Sequence, residues 1–336
     1  MRTYLFFCAI GMLFFASCAD APQNYRIDYV GGALGTSYSI ITITESPMEL
    51  QKDIDSVFTV INKSLSTYIP NSDISRINNG DSTVVVDKMF REVFQLSKEV
   101  YTETNGFFDP TVGTLVNAWG FGPERQIALD SAKVDSLLNF VGFDKVALSP
   151  ENKLERANPN IFLDFNAIAK GYSIDRLAAM LDGKHIENYL IEVGGELVGK
   201  GRNTLKEKQW VVGIDDPEMN VGRESKLLLT LEDKALASSG NYRKYRIDET
   251  TGKKYVHTIN PKTGFTQNSN TLAVTILAND CATADAYATA FMAMDLSEAF
   301  KLITKNENLE AYIVYLDENG QTQEFLTKGF KAVVTE

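Results

Sequence analysis

The sequence predicts an α+β fold with mixed, largely antiparallel sheets and flanking helices, forming a single globular unit behind an N-terminal leader. Stretches with apolar residues at helical spacing and stretches with strand-like runs come in blocks rather than in strict alternation. No obvious linker, internal repeat or low-complexity tract divides the 336-residue chain. A chain of this size buries a large core without staples.

The leader comes first. Arg2 supplies a positive start, Leu5 to Phe15 is almost unbroken apolar sequence, and Ala16-Ser17 precedes Cys18. That is the layout of a secretory signal, too short to span a bilayer comfortably. Phe15-Ala16-Ser17-Cys18 is also similar to the lipobox at which bacterial lipoproteins are cut and acylated, with Phe in the place usually held by Leu. The expected organisation is a signal peptide over residues 1–17, a lipid-bearing Cys18 with a tether to residue 24, and a domain over 25–336. The other reading is an ordinary cleaved signal with Cys18 incidental. Either way the domain is expected outside the cytoplasm, in the cell envelope, and the lipid would hold it to a membrane facing the periplasmic side.

Two strand runs, Tyr25–Val30 and Ser37–Thr44, flank a Gly-rich turn at 31–36. Ser46-Pro47-Met48-Glu49 has capping-box spacing with Pro47 at the first helical position, and Leu50, Ile54, Val57, Ile61 and Leu65 follow on one face. A second helix is expected from Asp87, through Phe90, Val93, Leu96 and Val100, to Asn105-Gly106. Further helices are expected over 130–140 and 171–181. Strands are expected at Tyr189–Val193, Trp210–Ile214, Leu227–Leu231, Tyr255–Ile259, Leu272–Leu277 and near 311–315.

The formal charge is −11, and loss of residues 1–17 removes Arg2 and no acid, leaving −12. An acidic surface argues against nucleic acid as a partner, and an anionic ligand would need a metal or local donors. Only Cys281 remains in the domain, which excludes an internal disulfide and a thiolate metal cluster.

Of the two histidines, His185 sits in a surface turn after Gly183-Lys184, whereas His257 shares a strand face with Tyr255 and Ile259 and precedes Asn260-Pro261-Lys262-Thr263-Gly264. By its pattern alone His257 is equally a core histidine or a functional one. In the segment from Cys281, Asp285, Ala288 and Thr289 fall on one helical face. A carboxylate and a hydroxyl among alanines suit a hard cation such as Mg²⁺. They also suit a small-residue packing helix with a capping or solvated Asp, and the residues alone favour that.

Taken together and in order, several segments resemble the FAD:protein FMN transferases, the ApbE-type flavin transferase family, from about residue 30 to 295. They are Leu-Ser-Thr-Tyr at 65–68, Phe-Asp-Pro-Thr-Val-Gly at 108–113, Trp-Gly-Phe-Gly-Pro at 119–123 and Ala-Lys-Gly-Tyr at 169–172. Glu-Val-Gly-Gly-Glu-Leu at 192–197, Ser-Ser-Gly-Asn-Tyr-Arg at 238–243, His257 before Asn-Pro-Lys-Thr-Gly, and Cys-Ala-Thr-Ala-Asp-Ala at 281–286 complete the series. Each is weak alone; eight in register are specific.

The resemblance implies an ApbE-like, T-fold-related unit. It implies FAD contacts from Leu34, Tyr68, Trp119, Gly120, Phe121, Asp164, Lys170 and Ile259, and a metal held by the Ala167 carbonyl, Asp285 and Thr289, with Mg²⁺ or Mn²⁺ as the ion. Leu34 stands where the family usually has Met, a change that conserves volume and polarity. Asn166 stands where it usually has Gly, which changes the backbone's freedom beside the phosphates and adds an amide donor.

The implied reaction is attack by an acceptor Thr or Ser hydroxyl on the FMN-side phosphorus of FAD, with AMP leaving. His257 is the candidate base, its imidazole titrating near working pH. Acceptors of the family are membrane redox proteins, so subunits of Nqr- or Rnf-type complexes are the expected partners. Two rivals stand beside transfer: an Mg²⁺-dependent FAD pyrophosphatase yielding FMN and AMP, and a passive flavin-binding lipoprotein. Passive binding would need neither His257 nor the Asp285–Thr289 pair.

If Cys18 carries lipid, cells given labelled fatty acid will label the protein, and Cys18→Ala will abolish the label. An unlabelled wild type would leave a free secreted protein.

Overall fold

The computed structural model describes residues 24–124, 126–217, 225–241, 245–247, 254–267 and 269–335. The leader, with Cys18 and most of the expected tether, lies outside the described residues. No helix among the described residues is long and apolar enough to cross a membrane.

The chain opens with a hairpin, β1 (Tyr25–Ala33) and β2 (Thr36–Thr44). Its turn is tighter than the sequence predicts, because Gly31 and Gly32 pair with Tyr38 and Ser37 and only Leu34-Gly35 is left outside the ladder. Both turn residues are left-handed, with φ of 53° and 75°, the conformation that matches the twist of a two-residue hairpin. Gly31 is glycine for a different reason: a Cβ there would lie 2.7 Å from the Tyr38 ring.

Helices follow: α1 (Gln51–Leu65), α2 (Asp73–Asn78), α3 (Lys88–Glu103), α4 (Gly113–Ala118) and α5 (Ser131–Leu138). The expected capping box at Ser46 does not form, since α1 begins at Gln51 and no side chain caps it. The Tyr29 hydroxyl donates to the Met48 carbonyl at 2.5 Å, and Leu50 is buried; together they pin the approach to the helix against β1. In α3 the expectation holds, with the Asp87 carboxylate accepting from Phe90 N at 2.8 Å and Asn105 and Gly106 left-handed at the exit. Asp130 caps α5 in the same way.

A small hairpin, β3 (Val146–Leu148) and β4 (Leu154–Arg156), leads to α6 (Ala169–Asp182). Then come β5 (Asn188–Val193), β6 (Glu196–Lys200), β7 (Trp210–Asp215), β8 (Ser225–Leu231), β9 (Lys234–Gly240), β10 (Tyr245–Ile247), β11 (Lys254–Val256) and β12 (Thr271–Ala278). The chain ends with α7 (Cys281–Ala293), α8 (Leu296–Lys305), β13 (Glu310–Leu316), β14 (Thr322–Leu326) and α9 (Lys328–Val333).

The expected strand Tyr255–Ile259 is cut short: β11 ends at Val256, and Ile259 instead makes an isolated bridge with Thr266. The cause is the turn that follows. The Asn260 side chain accepts from Lys262 N and Thr263 N, and its carbonyl accepts from Gly264 N. This Asx-type turn reverses the chain before a strand can continue.

Eight strands form one sheet in the order β1-β2-β5-β6-β9-β12-β13-β14, every neighbouring pair antiparallel. Strand periodicity divides its centre between two cores. Ala237, Ile276, Ala311 and Ile313 join the helical core with residues of α1, α3 and α7. Their neighbours Leu236, Leu277, Tyr312 and Val314 point the other way, against Trp210, Leu229 and Phe330 of β7, β8 and α9. With both faces covered, the sheet fixes the helices that it carries.

Helix α7 is buried almost all round, with Ala282, Ala284, Ala286, Ala288, Ala290 and Phe291 in the core. Its small residues let α6 come close. A Cβ on Gly171 would lie 2.2 Å from the Cys281 carbonyl oxygen and 2.9 Å from the Ala282 Cα. Those are backbone atoms that cannot swing away. Gly171→Ala is therefore expected to cost about 1–3 kcal/mol by overpacking, read as a lower denaturation midpoint at unchanged m-value.

Candidate functional site

At the α6–α7 junction each helix hydrogen-bonds to the other's first turn. Asp285 of α7 accepts from Gly171 N at 3.0 Å, and Asp175 of α6 accepts from Cys281 N and Ala282 N at 2.8 Å each. The amides of a helix's first turn lack intrahelical partners, so both carboxylates occupy favourable positions. Asp285 is only 3% exposed, and its second oxygen accepts no hydrogen bond from the described residues. Thr289 lies one turn further along the same face, as its spacing predicts, with its hydroxyl 3.5 Å from Ser239 Oγ of β9. Ala167 precedes α6 in the loop that enters this junction.

Lys170 stands in the first turn of α6, and its ammonium is ion-paired with Glu196 Oε1 at the start of β6. Burial works against its charge, but attraction to Asp285 and Glu196 outweighs this and raises its pKa above the usual lysine value. Burial raises the Asp285 carboxyl pKa, against the pull of Lys170 and the Gly171 amide. Burial likewise raises that of Glu196, opposed by Lys170, and pushes Asp175 up to about 7. Glu196 Oε2 is buried with no hydrogen-bond partner. The Glu-Val-Gly-Gly-Glu-Leu segment carries part of the family resemblance, but nothing in its residue order assigns Glu196 a role. The signal it does hold is a carboxylate directly after two glycines, in a strand otherwise apolar at alternate positions.

The loop into α6 ties this junction to the next group of residues. Leu163 exchanges two hydrogen bonds with the Asn78 side chain, both 2.9 Å. Asp164 donates its amide to Pro110 O at 2.8 Å and accepts from Asn166 N at 2.7 Å. Burial raises the Asp164 carboxyl pKa. Gly113, at the head of α4, leaves room for this loop, since a Cβ there would sit 2.7 Å from the Phe162 ring. Asn166 is exposed, and its side chain reaches the Thr67 hydroxyl at 3.5 Å. It is not among the positive-φ residues, so the position tolerates Asn without strain. Beside Thr67, Tyr68 is 61% exposed. Partial burial and the nearby Asp164 charge raise its hydroxyl pKa.

Helix α4 ends at Trp119, which is 7% exposed and packs with Leu115, Val134, Val141 and Ile259. Its indole N–H donates to Gly264 O at 2.8 Å, and its ring lies 6.2 Å from that of Phe265. Trp119 and Ile259 therefore meet in one apolar cluster that holds the turn after His257. Gly120 is exposed with φ of 81°, and Phe121 is half-buried against the cluster. His257 is half-buried in the bend after β11 rather than on a strand face, and the next residue, Thr258, donates to Asn241 Oδ1 at 2.8 Å. Leu34, at the tip of the first hairpin, packs against the helical core and against a second cluster formed by Tyr29, Tyr38, Ile54, Phe58 and Ile174 among others. His185 is exposed in a turn with φ of 60°, the position that the sequence predicts for it.

The model of the ApbE family matches residues 34–313. The FAD:protein FMN transferase of Vibrio cholerae is 32% identical over 98% of this chain and 98% of its own. That of Haemophilus influenzae is 31% identical over 94% and 92%. Among solved structures, the flavin transferase ApbE from Vibrio cholerae superposes with a TM-score of 0.82 at 29% identity, over 93% of this chain and 100% of that one. The apo flavinyl transferase ApbE of Pseudomonas stutzeri gives 0.81 at 26% identity, over 93% and 97%.

A buried carboxyl whose folded pKa is raised holds its proton more tightly folded than unfolded. Its contribution to stability therefore falls as pH rises from the ordinary carboxylate range through the folded value. Asp285 is such a group, and Asn keeps an acceptor for Gly171 N without the charge. In the metal-free protein, Asp285→Asn is expected to unfold within about 1 kcal/mol of wild type or to be more stable at pH 8. A large loss in thermal unfolding would make Asp285 a structural cap.

Proposed function

The chain belongs to the ApbE family and is an FAD:protein FMN transferase, and on that premise we propose that it works with Mg²⁺ at the α6–α7 junction and delivers FMN to a Thr or Ser hydroxyl. The observation that carries the metal assignment is the Asp285 carboxylate, buried, fixed through one oxygen by Gly171 N and without a donor on the other. The Ala167 carbonyl, Asp285 and Thr289 would hold the ion as an all-oxygen set, the kind that Mg²⁺ accepts, with Mn²⁺ as a substitute. Bound there, the ion would neutralise charge on the phosphate oxygen that leaves with AMP.

The protein's own groups do the rest. Lys170 adds a positive charge beside the same carboxylate, suited to hold the nucleotide's phosphates. Tyr68 offers an exposed ring for a planar flavin. The Trp119 indole N–H is already taken by Gly264, so that stretch would meet FAD through ring edges and the exposed Gly120 backbone. His257 accepts the acceptor's hydroxyl proton as the oxygen attacks the FMN-side phosphorus. A phosphoester bond forms to the acceptor, and the anhydride bond breaks with its electron pair on AMP. Membrane redox subunits of Nqr and Rnf type are the proposed acceptors, reached from a Cys18 lipid anchor on the extracytoplasmic side.

Incubating the protein with FAD, Mg²⁺ and such a subunit should add FMN to the subunit's intact mass and release AMP, and chelation should stop both. His257→Ala should still bind FAD but transfer about 10²–10⁴ more slowly, the range for a lost acid–base group. Acceptor-free AMP release serves as the control: if it persists while transfer stops, His257 serves the protein acceptor. Unchanged transfer at saturating FAD and acceptor would remove the base assignment.

A further inference from the structure

Of the charged groups at the α6–α7 junction, Lys170 and Glu196 touch, and Lys170 and Asp285 make no ion pair among the described residues. Lys170 Nζ is paired with Glu196, while its chain neighbour Gly171 gives its amide to Asp285 Oδ2 at 3.0 Å, so Asp285 stands beside the same turn of α6. An ammonium in the first turn of a helix lies at the wrong end of the macrodipole. It needs a counter-ion, and Asp285, on the adjacent helix, is near enough to attract it. If the ammonium turned to Asp285, the carboxylate would be neutralised and a cation would have to displace it.

Glu196 supplies the alternative partner. Gly194 and Gly195, with φ of 63° and 104°, make the tight turn between β5 and β6, and the Gly195 amide is held by Glu192 Oε1 at 2.7 Å. The next residue, Glu196, is only 2% exposed. A buried carboxylate is costly unless it is paired, and Glu196 Oε2 has no hydrogen-bond partner among the described residues. The Lys170 ammonium is thus the group that its burial serves. With Glu196 present the three side chains carry a net charge of one negative; without it they would be neutral.

We propose that Glu196 is a positioning residue: it holds the Lys170 ammonium off Asp285 and so keeps that carboxylate open to a divalent cation. The proposal rests on the reading of Asp285 as a cation ligand, and metal binding in the FAD-free protein tests the two separately. Mn²⁺ serves as the probe, its free fraction followed by electron paramagnetic resonance. Glu196→Gln should weaken Mn²⁺ binding by ~10-fold, the effect of an uncompensated like charge a few ångströms away. Glu196→Gln/Lys170→Met, which removes the competing ammonium, should restore binding to within ~3-fold of wild type. A purely structural role for Glu196 would not be rescued by losing Lys170 as well. Unchanged binding in Glu196→Gln, or a double variant no better than the single, overturns the proposal if Asp285→Asn abolishes binding. If Asp285→Asn binds like wild type, the metal reading itself fails and this inference falls with it. Should Glu196→Gln not fold, Lys170→Met alone decides: binding as tight as wild type or tighter supports the proposal, and weaker binding overturns it.

Discussion

The first turns of α6 and α7 approach until the Cys281 carbonyl fills the space where a Gly171 side chain would stand. At that distance each helix can lend a carboxylate to the other's amides, Asp285 to Gly171 and Asp175 to Cys281 and Ala282. Neither bond survives a wider spacing. The alanines of α7 are therefore a packing surface, and close packing does not exclude a functional role for the carboxylate that the helix carries. The sheet gives the arrangement its rigidity, because α7 packs on β9 and β12 while β7, β8 and α9 close the opposite face.

Burying Asp285 and Glu196 near one ammonium, with Asp175 buried in the same junction, is unfavourable for folding on its own terms. Burial raises all three carboxyl pKa values, so each contributes less stability as pH rises through its folded value. A packed apolar junction would be more stable. Under the proposed reading, the surplus of negative charge would serve a cation-assisted site for a pyrophosphate, since the chain as a whole, at a formal −11, does nothing to attract an anion.

Much of this was legible in residue order. Asp87 and Asn105-Gly106 bound α3 because capping and left-handed exit are local chemistry, and the same holds for Asp130 at α5. Local chemistry also misled. Ser46-Pro47-Met48-Glu49 has the pattern of a helix start, but Tyr29, from the preceding hairpin, holds the Met48 carbonyl. Tyr255–Ile259 alternates like a strand, yet Asn260 turns the chain. At the candidate site, helical spacing puts Asp285 and Thr289 on one face, and α7 carries both of them there. Glu196 is not legible in this way, because its importance depends on a lysine that is distant in sequence and arrives only when β6 is laid beside α6.

The two sides of the site differ in how firmly they are held. Asp285, Lys170 and Glu196 sit on helices and a central strand, with both carboxylates buried, Glu196 paired to Lys170 and Asp285 bonded to Gly171 N. Tyr68, Gly120 and Phe265 sit on loops, with Tyr68 61% and Phe265 39% exposed. The difference suits the reaction. Phosphorus chemistry requires charges fixed to a fraction of an ångström, whereas a protein acceptor must bring its hydroxyl in from outside and needs an approach that the enzyme does not wall off. The loop Leu163–Ile168 joins the two, bonded to Asn78 and Pro110 on one side and continuing into α6 on the other. Under the proposed reading, a flavin resting near Tyr68 would have its phosphates set by the same backbone that positions Ala167 and Lys170, so that binding the ring and aligning the phosphorus would be one event.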